Sequence, residues 1–454
     1  MSSILTIPEI VGLDSRRNQI RIPPETDVPL TPRVRAIIDT AEFRRLARIS
    51  QLGLVALVYP AAIHTRFEHS LGVYRLALHY LKQLSHDERF RAIIERRDAE
   101  LFIAAALLHD LGHWPFCHPL EDIKLAAVPR HEVFAKSFLL EGKLGDVLRK
   151  DWDLDPAEIM ALLSEKPADH KSRILNSMLS GPIDIDKMDY LPRDSLHAGV
   201  PYGRNFDQSR LIGSLCLNES CDGLAITEKG KTAAEMIVFS RYVMFSEVYW
   251  HHGVRSATAM LQRAFFDLHG KLELDQLLRM AEAEMIAELR GAASGTAVEN
   301  LLAGLFGAQR RLYKRVAQFS FFEDREIYQR LARRPYGWLV RCAAQFASIA
   351  SEVLGEPISP HEVIFDAPPV EREVEFNVDV YYGKENCYRR LGDVSPVVRA
   401  LAEKQFDDFV KRVRLFANAR LAHELRGIEN LRQLINQAVE ATESSNDSVG
   451  YASS

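Results

Sequence analysis

Cysteine is scarce in this sequence. There are five in 454 residues, Cys117, Cys216, Cys221, Cys342 and Cys387, and no two form a C-x-x-C pair. An odd, scattered set argues against a disulfide framework and against a thiolate zinc site, and reads as reduced structural thiols. Long hydrophobic runs are missing too. The most apolar stretch, 101–108, is far short of the ~20 residues that cross a bilayer. The opening MSSILTIPEIVGLDSRRNQ has no basic region ahead of an apolar core, so no signal peptide is read. A cytoplasmic protein without a membrane partner is expected. Nor does charge of one sign dominate: the formal net charge is −5, which gives no global argument for nucleic acid as a partner. No unit of 20–50 residues repeats.

What remains is globular composition. Apolar residues make up 47% and charged residues 26%, which excludes collagen-like and wholly disordered chains. The uneven feature is histidine. Of 15 in the chain, eight lie between His64 and His131.

Periodicity divides the chain. Residues 1–30 read as an irregular N-terminal segment, broken by Pro8, Pro23, Pro24 and Pro29, with NQIRI as one short strand. From Thr31 the pattern is helical. Thr31-Pro32 supplies a cap followed by proline at the first helical position. The segment ERRDAELFIAAALLHDLGH starts polar and becomes apolar on every side, as a helix buried in a core does. Helical periodicity continues through 131–150, 156–165, 170–179, 232–290 and 297–352, with no convincing alternating run before about residue 360. The expectation is a large helical domain over 31–355 and a small α+β subdomain over 356–440. The polar 441–454 read as a disordered tail. The fold class is mainly α.

Four spots carry chemistry: HTRFEH at 64–69, His109-Asp110, His113 to His118, and DIDK at 184–187. A carboxylate at the inner end of a buried helix must be paired or bound to a cation, because an isolated buried charge is prohibitively costly. An adjacent imidazole adds a second lone pair. Together they suit a divalent metal that takes mixed nitrogen and oxygen ligands. A histidine from an upstream helix and an aspartate from a downstream one would complete two His and two Asp, leaving positions for water and a phosphate oxygen.

The order H…HD…D, with IDTAEFRRLARISQLG, YPAAIHTRFEHSLGVYRLA, HDLGHWPFCHPLED, HEVFA and DIDKMDYLPRDSLHAG, closely resembles the HD-domain deoxynucleoside triphosphate triphosphohydrolases, a family with bacterial dGTPase-like and mammalian members. The resemblance covers about 31–265 well. VIFDAPP and QFDDFVKRVRLF are weaker matches. The acidic pair of the stringent-response hydrolases and the GYP signature of the cyclic-dinucleotide phosphodiesterases do not occur here.

The resemblance implies metal-dependent hydrolysis of deoxynucleoside triphosphates to a deoxynucleoside and inorganic tripolyphosphate. It implies His69, His109, Asp110 and Asp186 as ligands of a divalent ion, with Mn, Fe, Mg, Ni and Zn all compatible. His118 would transfer a proton near the α-phosphate, His131 and Glu132 would support it, and His113 would act beside them. Arg66 and Lys187 would grip phosphate, with Arg241 a further candidate. Gln51, Leu52, Tyr190, Asp194 and Tyr249 would hold the sugar. A homo-oligomer, dimer or tetramer, is also implied.

Some positions depart from the mammalian pattern. Glu121 replaces an aspartate and Phe245 a histidine. Arg44 and Ala47 stand where a regulatory nucleotide segment has glutamine and arginine. Whether a nucleotide activator binds is left open, as are the preferred base and the biological role. The alternatives are an HD phosphohydrolase acting on another nucleotide phosphoester, and a nucleotide-sensing or nucleic-acid-binding assembly with little turnover. The basic runs between Arg310 and Arg334 motivate the latter.

Overall fold

Local capping chemistry sets where the site-bearing helices begin. The computed structural model describes residues 3–370, 377–402 and 410–446, and its fold is mainly α. The chain separates into two compact units, each assembled from discontinuous segments.

The first unit draws on residues 1–115, 129–244 and 374–404. Helix α1 (Pro32–Ile38) starts at the Thr31 cap, whose hydroxyl accepts from the Val34 N–H. Helix α2 (Arg66–Leu84) is capped by Thr65 in the same way. Helix α3 (Arg96–Leu108) begins at a capping box in which the Asp98 carboxylate accepts from the Glu95 N–H at 2.8 Å. From Phe102 to Leu108 each α3 residue is fully buried. The all-round apolar run is therefore a core helix. Helix α4 (Ile185–His197) starts at Asp184, whose carboxylate accepts from the Lys187 N–H at 2.7 Å. α2 packs between α3 and α4. Helix α5 (Lys231–Met244) closes the unit.

Two small sheets flank these helices. Gln19–Ile22 and Thr26–Pro29 form a hairpin. A four-stranded sheet has the order Leu215–Leu217, Leu224–Thr227, Asp379–Tyr382, Cys387–Arg390, with one parallel pair in the middle.

The second unit draws on residues 116–128, 245–373 and 405–454. Its helices α6 (His252–Leu268), α7 (Tyr336–Leu354) and α8 (Leu431–Asn446) accompany an antiparallel sheet ordered Lys314–Phe319, Val413–Ala417, Val363–Asp366. Trp338, Phe346, Phe365, Leu415 and Ile435 anchor its core.

Several expectations change. Residues 1–30 are more ordered than the prolines suggested: besides the expected strand they form the helix Pro8–Gly12 and a full hairpin. Pro8 sits at the first helical turn, where its missing N–H costs nothing. Strands at 215–217, 224–227 and 314–319 precede residue 360. The first two are too short, and too buried on both faces, for alternation to show. The third falls inside a stretch read as helical. The expected small subdomain at 356–440 is shared: its described residues 377–402 belong with the first unit and the others with the second. The polar tail is helical as far as Asn446, and 447–454 lie outside the described residues. Among the described residues, no helix is long and apolar enough to cross a membrane.

Candidate metal centre

Three helix termini of the first unit bring the predicted ligands together. His69 lies one turn into α2, His109 and Asp110 follow the buried end of α3, and Asp186 sits in the first turn of α4. The His69 Nε2 is 3.2 Å from the His109 Nε2, 3.0 Å from an Asp186 oxygen and 3.9 Å from an Asp110 oxygen. The His109 Nε2 is 3.4 Å from Asp110 and 3.9 Å from Asp186.

The other nitrogen of each ring decides what this convergence means. The His69 Nδ1 lies 2.8 Å from an Asp189 oxygen, and the His109 Nδ1 lies 2.9 Å from the Ala106 carbonyl. Both neighbours only accept, so each Nδ1 carries a proton and each Nε2 is the ring nitrogen turned inward. The two Nε2 atoms then face one another at 3.2 Å, among carboxylate oxygens. This arrangement repels itself unless a positive charge lies within it. Burial opposes charge on His69, yet its hydrogen bonds to Asp186 and Asp189 outweigh burial and push its pKa up to about 10. The surroundings therefore favour positive charge, from a proton on His69 or from a bound cation in its place. His69, His109 and Asp186 form a group that could hold a metal ion, and Asp110 adds a carboxylate beside it. Mixed imidazole and carboxylate donors of this kind suit a divalent ion.

Asp110 is buried, which disfavours its charge, but Arg66 and then His113 more than compensate and hold it well below the usual carboxylate range. The Arg66 guanidinium donates to Asp110 at 2.7 Å, and the His113 Nδ1 is 3.0 Å away. Lys187 donates to Asp184 at 2.6 Å and to the Gly181 carbonyl at 3.2 Å. Burial raises the Asp184 carboxyl to about 6, with Lys187 pulling the other way. Both cations expected to grip phosphate are thus held by carboxylates of this site.

The HDLGH turn is fixed from outside. Arg45 donates to the His113 carbonyl at 2.8 Å. A Cβ at Gly112 would collide with the His131 carbonyl, so only glycine lets that strand of chain approach. The His113 and His131 rings lie with centroids 3.8 Å apart, tilted by 37°, and the His131 Nδ1 is 3.6 Å from Glu132. Gln51 is tied beside this site by its N–H to the His64 carbonyl, and its buried amide oxygen accepts no hydrogen bond among the described residues. Leu52 and Tyr190 are half-buried. Asp194 is buried, with His64 at 2.9 Å. Arg241 is buried on α5. His118 and Tyr249 belong to the second unit. His118 is exposed on the short helix Cys117–Glu121, 3.5 Å from Glu121. Tyr249 ends a π-helical turn, edge-on to Phe245.

Sequence reasoning missed the residues behind His69. Arg193 donates twice to Asp189, each at 2.7 Å, and once to Glu68 at 2.6 Å. His197 reaches Glu68 at 2.9 Å. Arg193 outweighs burial and holds Asp189 down at about 2. A Cβ at Gly72 would strike both Asp189 and Arg193. The i, i+4 spacing of Asp189 and Arg193 on α4, opposite the glycine of HSLG, was the available signal.

Comparison with known proteins agrees with this geometry. Residues 66–191 match the family described as HD domain, and residues 206–432 match the HD associated region. An uncharacterized protein of Methanocaldococcus jannaschii is 31% identical over 91% of this chain and 82% of its own length. The deoxynucleoside triphosphate triphosphohydrolase SAMHD1 homolog of Dictyostelium discoideum is 30% identical over 54% of this chain. The match spans 47% of that relative, about half its length. The crystal structure of a hypothetical protein from Aquifex aeolicus superposes with a TM-score of 0.69 at 28% identity, covering 90% of this chain and 98% of that one.

Proposed function

Because the chain belongs to the HD-domain phosphohydrolase family, we propose that it hydrolyses deoxynucleoside triphosphates to a deoxynucleoside and inorganic tripolyphosphate. The observation that carries this reading is the inward convergence of the His69 and His109 Nε2 atoms with Asp110 and Asp186. The triphosphohydrolase named among the relatives supports the choice of substrate. A divalent ion held by these four residues would polarise a water or a phosphate oxygen.

The remaining work falls to the chain's own side chains. A triphosphate brings about four negative charges, and Arg66 and Lys187 are the cations to meet it. Each would exchange part of its present carboxylate contact for phosphate. Water adds at the α-phosphorus, the bond to the 5′ oxygen breaks, and that oxygen needs a proton. His118 is the residue assigned to supply it. His113, against the His131 ring and 3.0 Å from Asp110, would hold the reacting phosphate in place. Gln51, with its unused amide oxygen, would accept from a sugar hydroxyl. Leu52, Tyr190, Asp194, Arg241 and Tyr249 complete the proposed nucleotide contacts, and the same reading carries a homo-oligomer.

The test is product analysis. Each dNTP and NTP is incubated with the protein and Mn²⁺ or Mg²⁺, and the products are resolved by phosphorus NMR. Tripolyphosphate formed from dNTPs is the expected result. Orthophosphate or pyrophosphate instead, or no turnover with either metal, contradicts the proposal.

A further inference from the structure

The proposed chemistry gives no task to His64 and His197, two histidines of the first unit whose rings stack with centroids 4.3 Å apart and planes 12° apart. Each ring holds a carboxylate across the seam between α2 and α4. The Nε2 of His64, just ahead of α2, lies 2.9 Å from Asp194 on α4. The Nε2 of His197, the last residue of α4, lies 2.9 Å from Glu68 in the first turn of α2. Carboxylates only accept, so both Nε2 atoms donate. The stack thus joins two crossed hydrogen bonds, each taking one residue from either side of the seam.

What lies beyond each carboxylate differs. The Glu68 oxygen that meets His197 also accepts from the Arg193 Nη1 at 2.6 Å. That nitrogen reaches the Pro23 carbonyl too, at 3.1 Å. The other two nitrogens of the guanidinium hold Asp189, each at 2.7 Å, and Asp189 holds the His69 Nδ1 at 2.8 Å. A guanidinium is planar and rigid, so its hold on Glu68 at one edge sets how the other edge meets Asp189. On the second side stands Asp194, a proposed sugar contact. His64 is buried, and its Nδ1 has no hydrogen-bond partner among the described residues. Hydrogen bonding therefore fixes the His64 side chain at one point only, and the flat face of His197 supplies a second constraint.

We propose that His197 is a positioning residue serving two parts of the site at once. Through Glu68 and Arg193 it steadies the support of the candidate metal ligand His69, as outer partners of a ligand do. Through its ring face it holds His64, and so Asp194, where a deoxyribose would lie. The two services use different features of one side chain, the Nε2–H and the ring. The proposal rests on the hydrolase reading of the site.

Two substitutions separate the services. His197→Phe keeps a flat ring against His64 and removes the donor to Glu68. His197→Gln keeps an N–H donor for Glu68 and removes the ring. Two affinities are read in the full-length protein: Mn²⁺ after chelator treatment, by competition with a dye, and each deoxynucleoside, by ligand-observed NMR. Deoxynucleosides carry no phosphate, so they report on the sugar contacts without turnover. His197→Phe should weaken Mn²⁺ by about three- to tenfold, less than the loss of a direct partner, and leave deoxynucleoside binding within about twofold of the parent. His197→Gln should show the reverse. A purely structural residue would lose both affinities together in both variants, and that outcome overturns the proposal, as does indifference of either affinity to both variants. A parent protein that fails to bind Mn²⁺ or any deoxynucleoside overturns the underlying reading and the proposal with it, whereas a parent that binds both without the crossed pattern overturns the proposal alone.

Discussion

Two buried charge clusters in this molecule look alike in composition and differ in kind. In the second unit, Arg255 and Asp366 make a closed pair: a bidentate fork, with Trp250 covering the guanidinium. Donors and acceptors match. In the first unit, His69, His109, Asp110 and Asp186 are closely spaced, with two carboxylates crowding two inward-facing imidazole nitrogens 3.2 Å apart. The difference is physical. A structural ion pair is complete as folded, whereas this cluster needs a positive charge held among its members, from a proton on His69 or a bound cation. Burial alone, common to both, does not identify a functional site; the sign of the imbalance does.

Breaking each cluster in turn tests the distinction. Asp110→Ala should remove activity by on the order of 10³-fold or more, with the far-UV circular dichroism of the parent. Turnover near that of the parent would refute the metal-site assignment. Asp366→Ala should act on stability instead, leaving Arg255 buried and unpaired at a cost of about 3–5 kcal/mol. Urea denaturation reads this, and an unchanged midpoint would show that the pair is not structural. Arg193→Gln lies between these cases. Asp189 would still face His69 but lose its anchor, and metal affinity should fall by about 10- to 100-fold, measured by competition with a chelating dye. Gly72→Ala pushes on the same pair and should shift affinity in the same direction. The smallest effect belongs to Arg97→Ala. Its pair with Glu158 is half exposed, so a change below about 1 kcal/mol is expected, and a larger loss would show that exposed pairs matter here too.

Much of the fold and of the metal centre is legible in the sequence. The apolar run ending in His109-Asp110 marks a core helix with the candidate ligands at its inner end, and Thr31-Pro32 marks a helix start. The strands at 215–217 and 224–227 are not legible, because three or four residues buried on both faces carry no period. The support of His69 is hidden for another reason. Asp189, Arg193 and Glu68 resemble ordinary helical surface charges in the sequence, and only the packing of α2 on α4 turns them inward. His64, without an assigned role in the sequence, faces Asp194. His79 is half-buried on α2, pushed down to about 4 mainly by burial.

Divalent-ion binding to metal-free protein tests the central claim most directly. Mn²⁺ titrated calorimetrically into chelator-treated protein should bind at one ion per chain and raise the thermal midpoint. His109→Ala and Asp186→Ala should abolish both effects, and Asp366→Ala should retain the binding. Failure of the parent to bind, or full binding by the His109→Ala variant, would contradict the account.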